Sequence, residues 1–267
     1  MHRQTTRDVA VVARWAHNPK VAGSSPAPAT KGCANAHPNF FIHFYITSMQ
    51  VVYEDNHVII VNKAAGEIVQ GDKSGDAPLS DAVKAFIKEK YAKPGNVFCG
   101  VVHRIDRPVS GLVIFAKTSK ALSRLNEMLR KGEIHKTYWA LVEGKPEVPE
   151  ATLENWIYSD GRVNKSRIVD RDFPEARHAV LKYRTIATGE RYSLLEIDLL
   201  TGRKHQIRLQ LSDIGHPIKG DLKYGARRSN LGGGISLLAR HISFIHPVSK
   251  LQVDVSAPAL PDMQKLL

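Results

Sequence analysis

Cysteine is scarce in this sequence, with only Cys33 and Cys99 among 267 residues. Two cysteines so far apart cannot build a disulfide framework or a four-ligand zinc site. A reducing compartment fits this usage best, so we expect a cytoplasmic protein.

Long apolar runs are also missing. No stretch approaches the roughly 18 to 20 uninterrupted apolar residues that a membrane-spanning helix needs, and the first residues lack the apolar core of a secretory signal. The composition, 43% hydrophobic and 24% charged, is ordinary for a globular protein. We therefore expect neither a membrane partner nor export.

Acidic residues are too few to balance the basic ones. Lys and Arg total 38 against 26 Asp and Glu, which gives a net charge of +12. Such an excess favours a polyanionic partner, because cationic side chains contact phosphates. Charge alone leaves nucleic-acid binding open, since many basic proteins bind none.

Residues 1–48 differ from the rest of the chain. They lack Glu, hold four prolines and the run VAGSSPAPAT, and show no helical or strand period. The stretch RWAHNPKVAGSSPAPATKG also resembles the translation of a tRNA gene. We expect a disordered or spurious extension, a true start at Met49, and one domain over residues 49–267, which keeps a net charge of +8.

From Met49 onward the pattern predicts both strands and helices. A helix capped by Ser80 runs to residue 91, a second is capped by Ser119 and ends at Gly132, and a third spans 204–214. Apolar, β-branched runs predict strands at 51–53, 58–62, 112–116, 138–142, 179–186, 192–199, 237–242 and 251–255. Strands and helices do not alternate, which predicts an α+β fold with a largely antiparallel mixed sheet and flanking helices.

The most informative segment is HRIDRPVSG, residues 103–111, which places one carboxylate, Asp106, between two arginines. Nearby positive charge favours the ionised form of a carboxylate. From the residue types alone, a salt-bridged surface turn is the better explanation of the segment.

This segment resembles the HRLDRxTSG motif of the ribosomal large-subunit (RluA-like) pseudouridine synthase family. Further stretches resemble the same family in the same order, over residues 49 to about 260: VVYEDNHVIIVNKAAGE, KTYWALVEG, GRKHQIR, GHPI and GDLKYG. The resemblance implies the pseudouridine synthase catalytic-domain fold. It also implies isomerisation of uridine in structured rRNA or tRNA, with no cofactor and no metal.

The resemblance also implies a catalytic set. Asp106 matches the catalytic aspartate, which can act as nucleophile or as base toward the ribose. Tyr138 is suited to stacking on the base and to accepting the proton that leaves C5. Arg208 matches an arginine that pairs with this aspartate and favours its charged form. From the residues alone, Tyr138 could be a packing residue and Arg208 a phosphate contact.

A uridine within folded RNA must leave its stack to react, and the resemblance implies that Arg104 fills the vacated space, although it could instead bind phosphate. The other motif residues expected to bind RNA are His103, Arg107, Arg203, His205 and Gln206. With no separate RNA-binding domain in view, we expect further contacts from Lys117, Lys120, Arg124, Arg227 and Arg228.

The sequence departs from the family pattern at three positions. Ile105 replaces a Leu of similar volume, Val109 lacks a usual Thr hydroxyl, and Gln210 stands where His is common. We expect the second change to affect the orientation of the catalytic loop and the third to affect an RNA contact, with the reaction unchanged.

Two other functions remain open. A non-catalytic RNA-binding protein could keep the fold without the activity. A nucleoside glycosidase cleaves the same bond but normally uses two carboxylates, and the motifs supply one. The 12 histidines form no HExxH or Cys/His pattern, and HRID lacks the other kinase motifs. We therefore expect a metal-free synthase. We also expect it to be a monomer.

Overall fold

The computed structural model describes residues 49–267. The predictions for residues 1–48, including the start at Met49 and anything concerning Cys33, lie outside the described residues. Within residues 49–267, no helix is both long enough and apolar enough to cross a membrane.

One mixed sheet of 11 strands dominates the described chain, in the order β1-β2-β4-β10-β5-β9-β8-β6-β7, with β3 beside β4 and β11 beside β10. The strands are β1 Gln50–Glu54, β2 Val58–Lys63, β3 Gly100–Val101, β4 Ser110–Ala116, β5 His135–Glu143, β6 Glu150–Asp160, β7 Lys165–Val169, β8 Arg177–Thr188, β9 Tyr192–Leu199, β10 Leu237–Ile245 and β11 Gln252–Ser256. The helices are α1 Leu79–Lys90, α2 Ser119–Lys131, α3 Gln206–Asp213 and α4 Pro261–Gln264, with a 3-10 turn at Leu222–Tyr224.

Strand pairing is antiparallel throughout this sheet except between β4 and β10, where Leu238 pairs with Ser110. The predicted α+β class with a largely antiparallel mixed sheet is therefore confirmed. Each predicted strand corresponds to a strand of this sheet.

Both faces of the sheet are covered where β2 lies. Along β2, Ile59 and Val61 join one buried cluster while Val58 and Ile60 join the other. Adjacent strand residues point to opposite faces, so a strand buried on both sides reads as a continuous apolar run. The first cluster includes Tyr138 and residues of α1 and α3, and the second includes residues of α2.

The helix starts differ from the prediction. Pro78, not Ser80, precedes α1, and Ser80 is buried in the first turn. Thr118 caps α2, with its side chain accepting a hydrogen bond from the N–H of Ala121, while Gly132 ends that helix in the left-handed region as predicted. The third predicted helix begins at 206 rather than 204, because His205 adopts a left-handed φ of 56°.

Strands β6 and β7 were not predicted. In β6, exposed Glu150, Thr152 and Glu154 alternate with partly buried residues, and the sequence EATLENWIYSD contains little of the β-branched enrichment that marks a strand. The pairing of β6 with β8 and β7 stabilises the segment through contacts that are distant in sequence.

Candidate active site

The loop between β3 and β4 carries Asp106. In this loop the N–H of Val109 donates to the carbonyl oxygen of Asp106 at 3.0 Å, which forms a tight turn. At the start of β4, Gly111 has a φ of 116°, and a Cβ there would collide with the backbone of Ala239 in β10. Glycine is therefore required where β4 and β10 approach each other, and this contact fixes the end of the loop.

Lys63 anchors the loop through hydrogen bonds to backbone carbonyl groups. It lies at the end of β2, is 1% exposed, and its Nζ donates to the carbonyl oxygens of Ala64, Glu67 and Arg107 at 2.9, 3.0 and 3.2 Å. Burial lowers the pKa of this amine to about 8. Lys63 was not among the predicted site residues; the signal available for it was a lysine at the end of the apolar run VIIVN.

Asp106 and Arg208 form the centre of the site. Arg208 Nη1 donates to Asp106 Oδ2 at 3.0 Å, although the two residues are 102 positions apart. The carboxylate side chain is 28% exposed, whereas the arginine side chain is 5% exposed. Part of the carboxylate thus remains accessible from outside while a buried cation fixes the group, which suits a carboxylate that reacts with a bound molecule.

A second carboxylate, Asp221, fixes Arg208 in turn. Arg208 Nε donates to Asp221 Oδ2 at 2.6 Å and Nη2 donates to Oδ1 at 2.8 Å, and Asp221 is 2% exposed. Burial disfavours the charged guanidinium, but the bonds to Asp221 and Asp106 outweigh it and raise the pKa of Arg208. Asp221 lies in the GDLKYG motif, but no role was predicted for it.

Tyr138 lies on β5 and is 6% exposed. Burial raises the pKa of its phenol well above the ordinary value of 10, and the negative charge of Asp106 raises it further. The side chain is therefore a neutral phenol at working pH, which fits stacking against a base. Acceptance of the C5 proton by Tyr138 stays a prediction.

Comparison with known protein families identifies the reaction that this site serves. A model of the family described as RNA pseudouridylate synthase matches residues 57–213, which include Asp106, Tyr138 and Arg208. The chain belongs to that family. The predicted resemblance to ribosomal large-subunit pseudouridine synthases is confirmed, and the protein is an RNA pseudouridine synthase, an isomerase that converts uridine in RNA to pseudouridine.

Relatives support this assignment over most of the synthase. It is 34% identical to the uncharacterized RNA pseudouridine synthase YhcT of Bacillus subtilis over 222 residues, covering 82% of this chain and 71% of the relative. It is 34% identical over 231 residues to ribosomal large subunit pseudouridine synthase D of Zymomonas mobilis, with the same coverage. The structure of human RNA pseudouridylate synthase domain containing 4 shares the fold, with a TM-score of 0.70, 20% identity and coverage of 85% of this chain and 95% of that one.

The residues of the synthase that were predicted to bind RNA fall into two groups. Arg104 and Arg107 are exposed beside Asp106, and Arg107 pairs with exposed Asp76 at 2.7 Å. Both guanidinium groups lie where a bound RNA could reach them. Arg203 is half-buried, and its Nε donates to the carbonyl of His178 at 2.7 Å.

The remaining three are engaged within the protein. His103 Nε2 accepts a hydrogen bond from the N–H of Ile114 at 3.2 Å, and buried Gln206 accepts bonds from Thr201 and from the N–H of Arg203. His205 is buried between Asp106 and Tyr224. RNA contacts by these three side chains stay predictions, but each side chain already has a role in holding the site together.

Two expectations about polar side chains are corrected. Lys117 is 7% exposed, with its Nζ at 2.7 Å from Glu54 Oε1 and 2.6 Å from the carbonyl of Asp55, so its predicted RNA contact is wrong. Gln210 is 1% exposed and donates to Asn155 Oδ1 at 2.7 Å, so it makes a protein contact instead of the predicted RNA contact. Val109 is 2% exposed and packs in the core beside the loop, and its expected effect on the orientation of the loop stays a prediction.

The other predicted RNA contacts lie at two places. Lys120 is exposed on α2 and Arg124 is partly buried there, with Nη1 donating to the carbonyl of Pro247. Arg227 and Arg228 are exposed after the 3-10 turn that follows Asp221. The α2 helix contributes to the buried cluster opposite that of Tyr138. Among residues 49–267, no group of three or more His, Cys, Asp or Glu is arranged to hold a metal ion.

The stability of the synthase should fall as the pH drops below about 6.5. Burial lowers the pKa of His103 to about 3 and of His205 to about 4, and it also lowers that of His246. These histidines bind protons in the unfolded chain at higher pH than in the folded chain, so acid favours unfolding by up to roughly 1.4 kcal/mol per pH unit for each.

Urea unfolding at pH 7.5, 6.5 and 5.0 measures this dependence, above the range where most carboxylates titrate. The control is His103→Gln, which keeps an acceptor for the N–H of Ile114 but does not titrate, and should show a shallower decline. A free energy of unfolding that stays constant from pH 7.5 to 5.0 would contradict the burial of neutral histidines.

Proposed function

We propose that this synthase isomerises one or more uridines in structured rRNA or tRNA, with Asp106 as the catalytic residue. The observation that carries the proposal is the accessible Asp106 carboxylate held at 3.0 Å by a buried arginine that Asp221 fixes from the other side. Relatives named ribosomal large subunit pseudouridine synthase C and D support rRNA as the first substrate to test.

The reaction is an internal rearrangement. The bond from N1 of uracil to C1′ of ribose breaks, the base turns, C5 bonds to C1′, a proton leaves C5, and N1 gains one. No atom or electron is added overall, so the chemistry requires no oxidant, reductant or co-substrate. Asp106 acts on the sugar either by attacking C1′ or by removing a proton from the ribose, and both roles require the ionised carboxylate.

Arg208 and Tyr138 support that chemistry in different ways. Arg208 remains charged and limits the rotation of the Asp106 side chain, so the carboxylate meets the ribose in one orientation. Tyr138 offers a neutral aromatic face buried beside the site, on which the freed uracil can stack while it turns.

Two alternatives are less well supported. A silent RNA-binding protein has no need for a buried Arg208–Asp221 ion pair beside Asp106, because the desolvation of that pair is costly. A nucleoside glycosidase needs a second free carboxylate to activate water. Asp221 is the second acid here, but both of its oxygens accept bonds from Arg208.

RNA recognition by the domain itself follows from its charge. Arg104 and Arg107 flank the catalytic carboxylate, and Arg227 and Arg228 are exposed beyond Asp221. We propose that Arg104 enters the space left by the flipped uridine and that the others contact phosphates. We also propose that the synthase acts as a monomer in the cytoplasm.

Mapping pseudouridines in cellular RNA tests the proposed function. Cells with the gene, cells without it, and cells complemented with Asp106→Asn should be compared site by site. At least one uridine in rRNA or tRNA should be modified only in cells with the active gene. Identical maps in all three strains would contradict the proposal.

Residues 49–267 should form the complete catalytic domain. Residues 1–48 show no helical or strand period, whereas the match to the family model lies at residues 57–213. A protein beginning at Met49 should therefore fold and turn over RNA at a rate within about twofold of the full chain, since it keeps every contact named above. Thermal unfolding and tritium release from C5-labelled RNA measure both properties. Loss of either property in the shortened protein would show that residues 1–48 contribute to the domain.

A further inference from the structure

A buried chain of polar groups leads from β7 to the catalytic carboxylate. The N–H of Ser166 donates to the Tyr224 hydroxyl at 2.9 Å, that hydroxyl lies 2.8 Å from His205 Nδ1, and His205 Nε2 faces Asp106 Oδ2 at 3.6 Å. His205 is 7% exposed and Tyr224 is 4% exposed. The family motif gave His205 only a predicted RNA contact, and nothing in the sequence connected it with Tyr224.

The hydrogen-bond geometry along this chain favours one tautomer of His205. A backbone N–H can only donate, so the Tyr224 oxygen accepts from Ser166. The hydroxyl proton is then free for His205 Nδ1 at 2.8 Å, which is a shorter contact than the 3.4 Å to the Ser166 carbonyl. With Nδ1 accepting, a neutral ring carries its proton on Nε2, the nitrogen that faces Asp106.

The surroundings keep this ring neutral. Burial is the largest influence, and Arg208 on α3, Lys223 in the 3-10 turn and neighbouring Lys204 act in the same direction against the negative charge of Asp106. Together they lower the pKa of His205 to about 4. The ring therefore presents one N–H donor to Asp106, without adding a second full positive charge beside Arg208.

The backbone shows that this ring position is imposed by the fold. His205 has a φ of 56°, in the left-handed region that non-glycine residues rarely adopt and that costs roughly 1–3 kcal/mol. The residue stands directly before α3, so the unusual φ places the imidazole one residue ahead of the helix that carries Arg208.

We propose that His205 is a positioning residue for Asp106, and that Tyr224 acts through it by holding the proton on Nε2. The proposal rests on the proposed catalytic role of Asp106. His205 Nε2 supplies a second donor to Asp106 Oδ2, the oxygen that Arg208 already contacts. The 3.6 Å separation is longer than a hydrogen bond, and we expect it to shorten when substrate binds, as catalytic contacts often do.

Two substitutions at one position separate this role from a structural one. His205→Gln places an amide N–H where Nε2 lies, toward Asp106, whereas the shorter His205→Asn reaches only the Nδ1 position, toward Tyr224. Asparagine is among the residues that best tolerate a left-handed φ, so backbone strain alone favours His205→Asn. A positioning role favours His205→Gln instead.

The assay is the initial rate of tritium release over a range of concentrations of C5-tritiated total RNA from cells lacking the gene. We expect His205→Gln to keep most of the saturating rate, and His205→Asn to lose roughly tenfold with a half-saturating RNA concentration unchanged within about twofold. Tyr224→Phe, at a position with ordinary backbone, should lose several-fold in the same way because its phenyl ring cannot fix the tautomer.

Three results would overturn the inference. These are a His205→Asn rate equal to or above that of His205→Gln, an unchanged rate for Tyr224→Phe, or a loss that appears in the half-saturating concentration, as a direct RNA contact predicts. Asp106→Asn run alongside keeps the two proposals apart. If Asp106→Asn is inactive while His205→Asn is fully active, only the role of His205 fails.

Discussion

Replacing Arg208 with Met is expected to lower both turnover and stability. The variant leaves Asp221 buried without its partner, which typically costs about 3–5 kcal/mol of folding free energy. It also frees the Asp106 side chain to rotate, and misplacement by about 1 Å can reduce a rate roughly 10²-fold. The measurements are urea unfolding and the rate of tritium release.

A double variant separates the two effects. Arg208→Met combined with Asp221→Leu removes both buried charges, so it should regain much of the lost stability. It should remain roughly as inactive as the single variant, because Asp106 still lacks the donor at 3.0 Å. Lys219→Met is a matched control, since it breaks a 2.7 Å ion pair with Asp262 outside the site. A double variant that recovers wild-type turnover would show that Arg208 acts only on stability.

The central strands were predictable from the sequence for a simple physical reason. β2 and β4 are buried on both faces, so they appear as continuous apolar runs that no loop would contain. β6 and β7 carry polar residues and depend on pairing with distant strands, so their short-range pattern is weak. The helix boundaries moved by one or two residues because Pro78, Thr118 and His205 decide them through local geometry.

The site was predictable only through motif resemblance. Asp106 and Arg208 are separated by 102 positions, and no periodic pattern links them. Asp221 could have been anticipated, because a buried arginine needs a carboxylate and GDLKYG lies close after α3. The chain from Ser166 through Tyr224 to His205 joins β7, the 3-10 turn and the start of α3, which only the fold brings together.

Charge was the least reliable guide to surface function. Lys117 follows directly after β4 and was expected to meet RNA, yet its amine is buried against Glu54 and Tyr91. A lysine side chain can reach a carboxylate far away in sequence, so its position in a motif-free segment does not reveal its exposure. Gln210 was also linked with an RNA contact, but its side-chain amide donates hydrogen bonds from α3 to β6.

Asp106→Asn is expected to abolish turnover with little effect on folding. The amide keeps the size of the side chain and an oxygen for Arg208, but it can neither attack C1′ nor remove a ribose proton. The rate should fall at least about 10³-fold, as it does when enzymes lose a nucleophile or base. RNA binding should persist, because phosphate contacts come from basic side chains and one fewer negative charge favours a polyanion.

The decisive measurement is tritium release from C5-labelled uridine in RNA from cells lacking the gene, made with wild type, Asp106→Asn and Asp213→Asn. Asp213 is an exposed carboxylate at the end of α3 and serves as the matched control. Wild type and Asp213→Asn should release tritium at similar rates, while Asp106→Asn binds the same RNA, unfolds at nearly the same temperature and releases none above background. Release by Asp106→Asn at the wild-type rate would contradict the assignment of Asp106 as the catalytic residue.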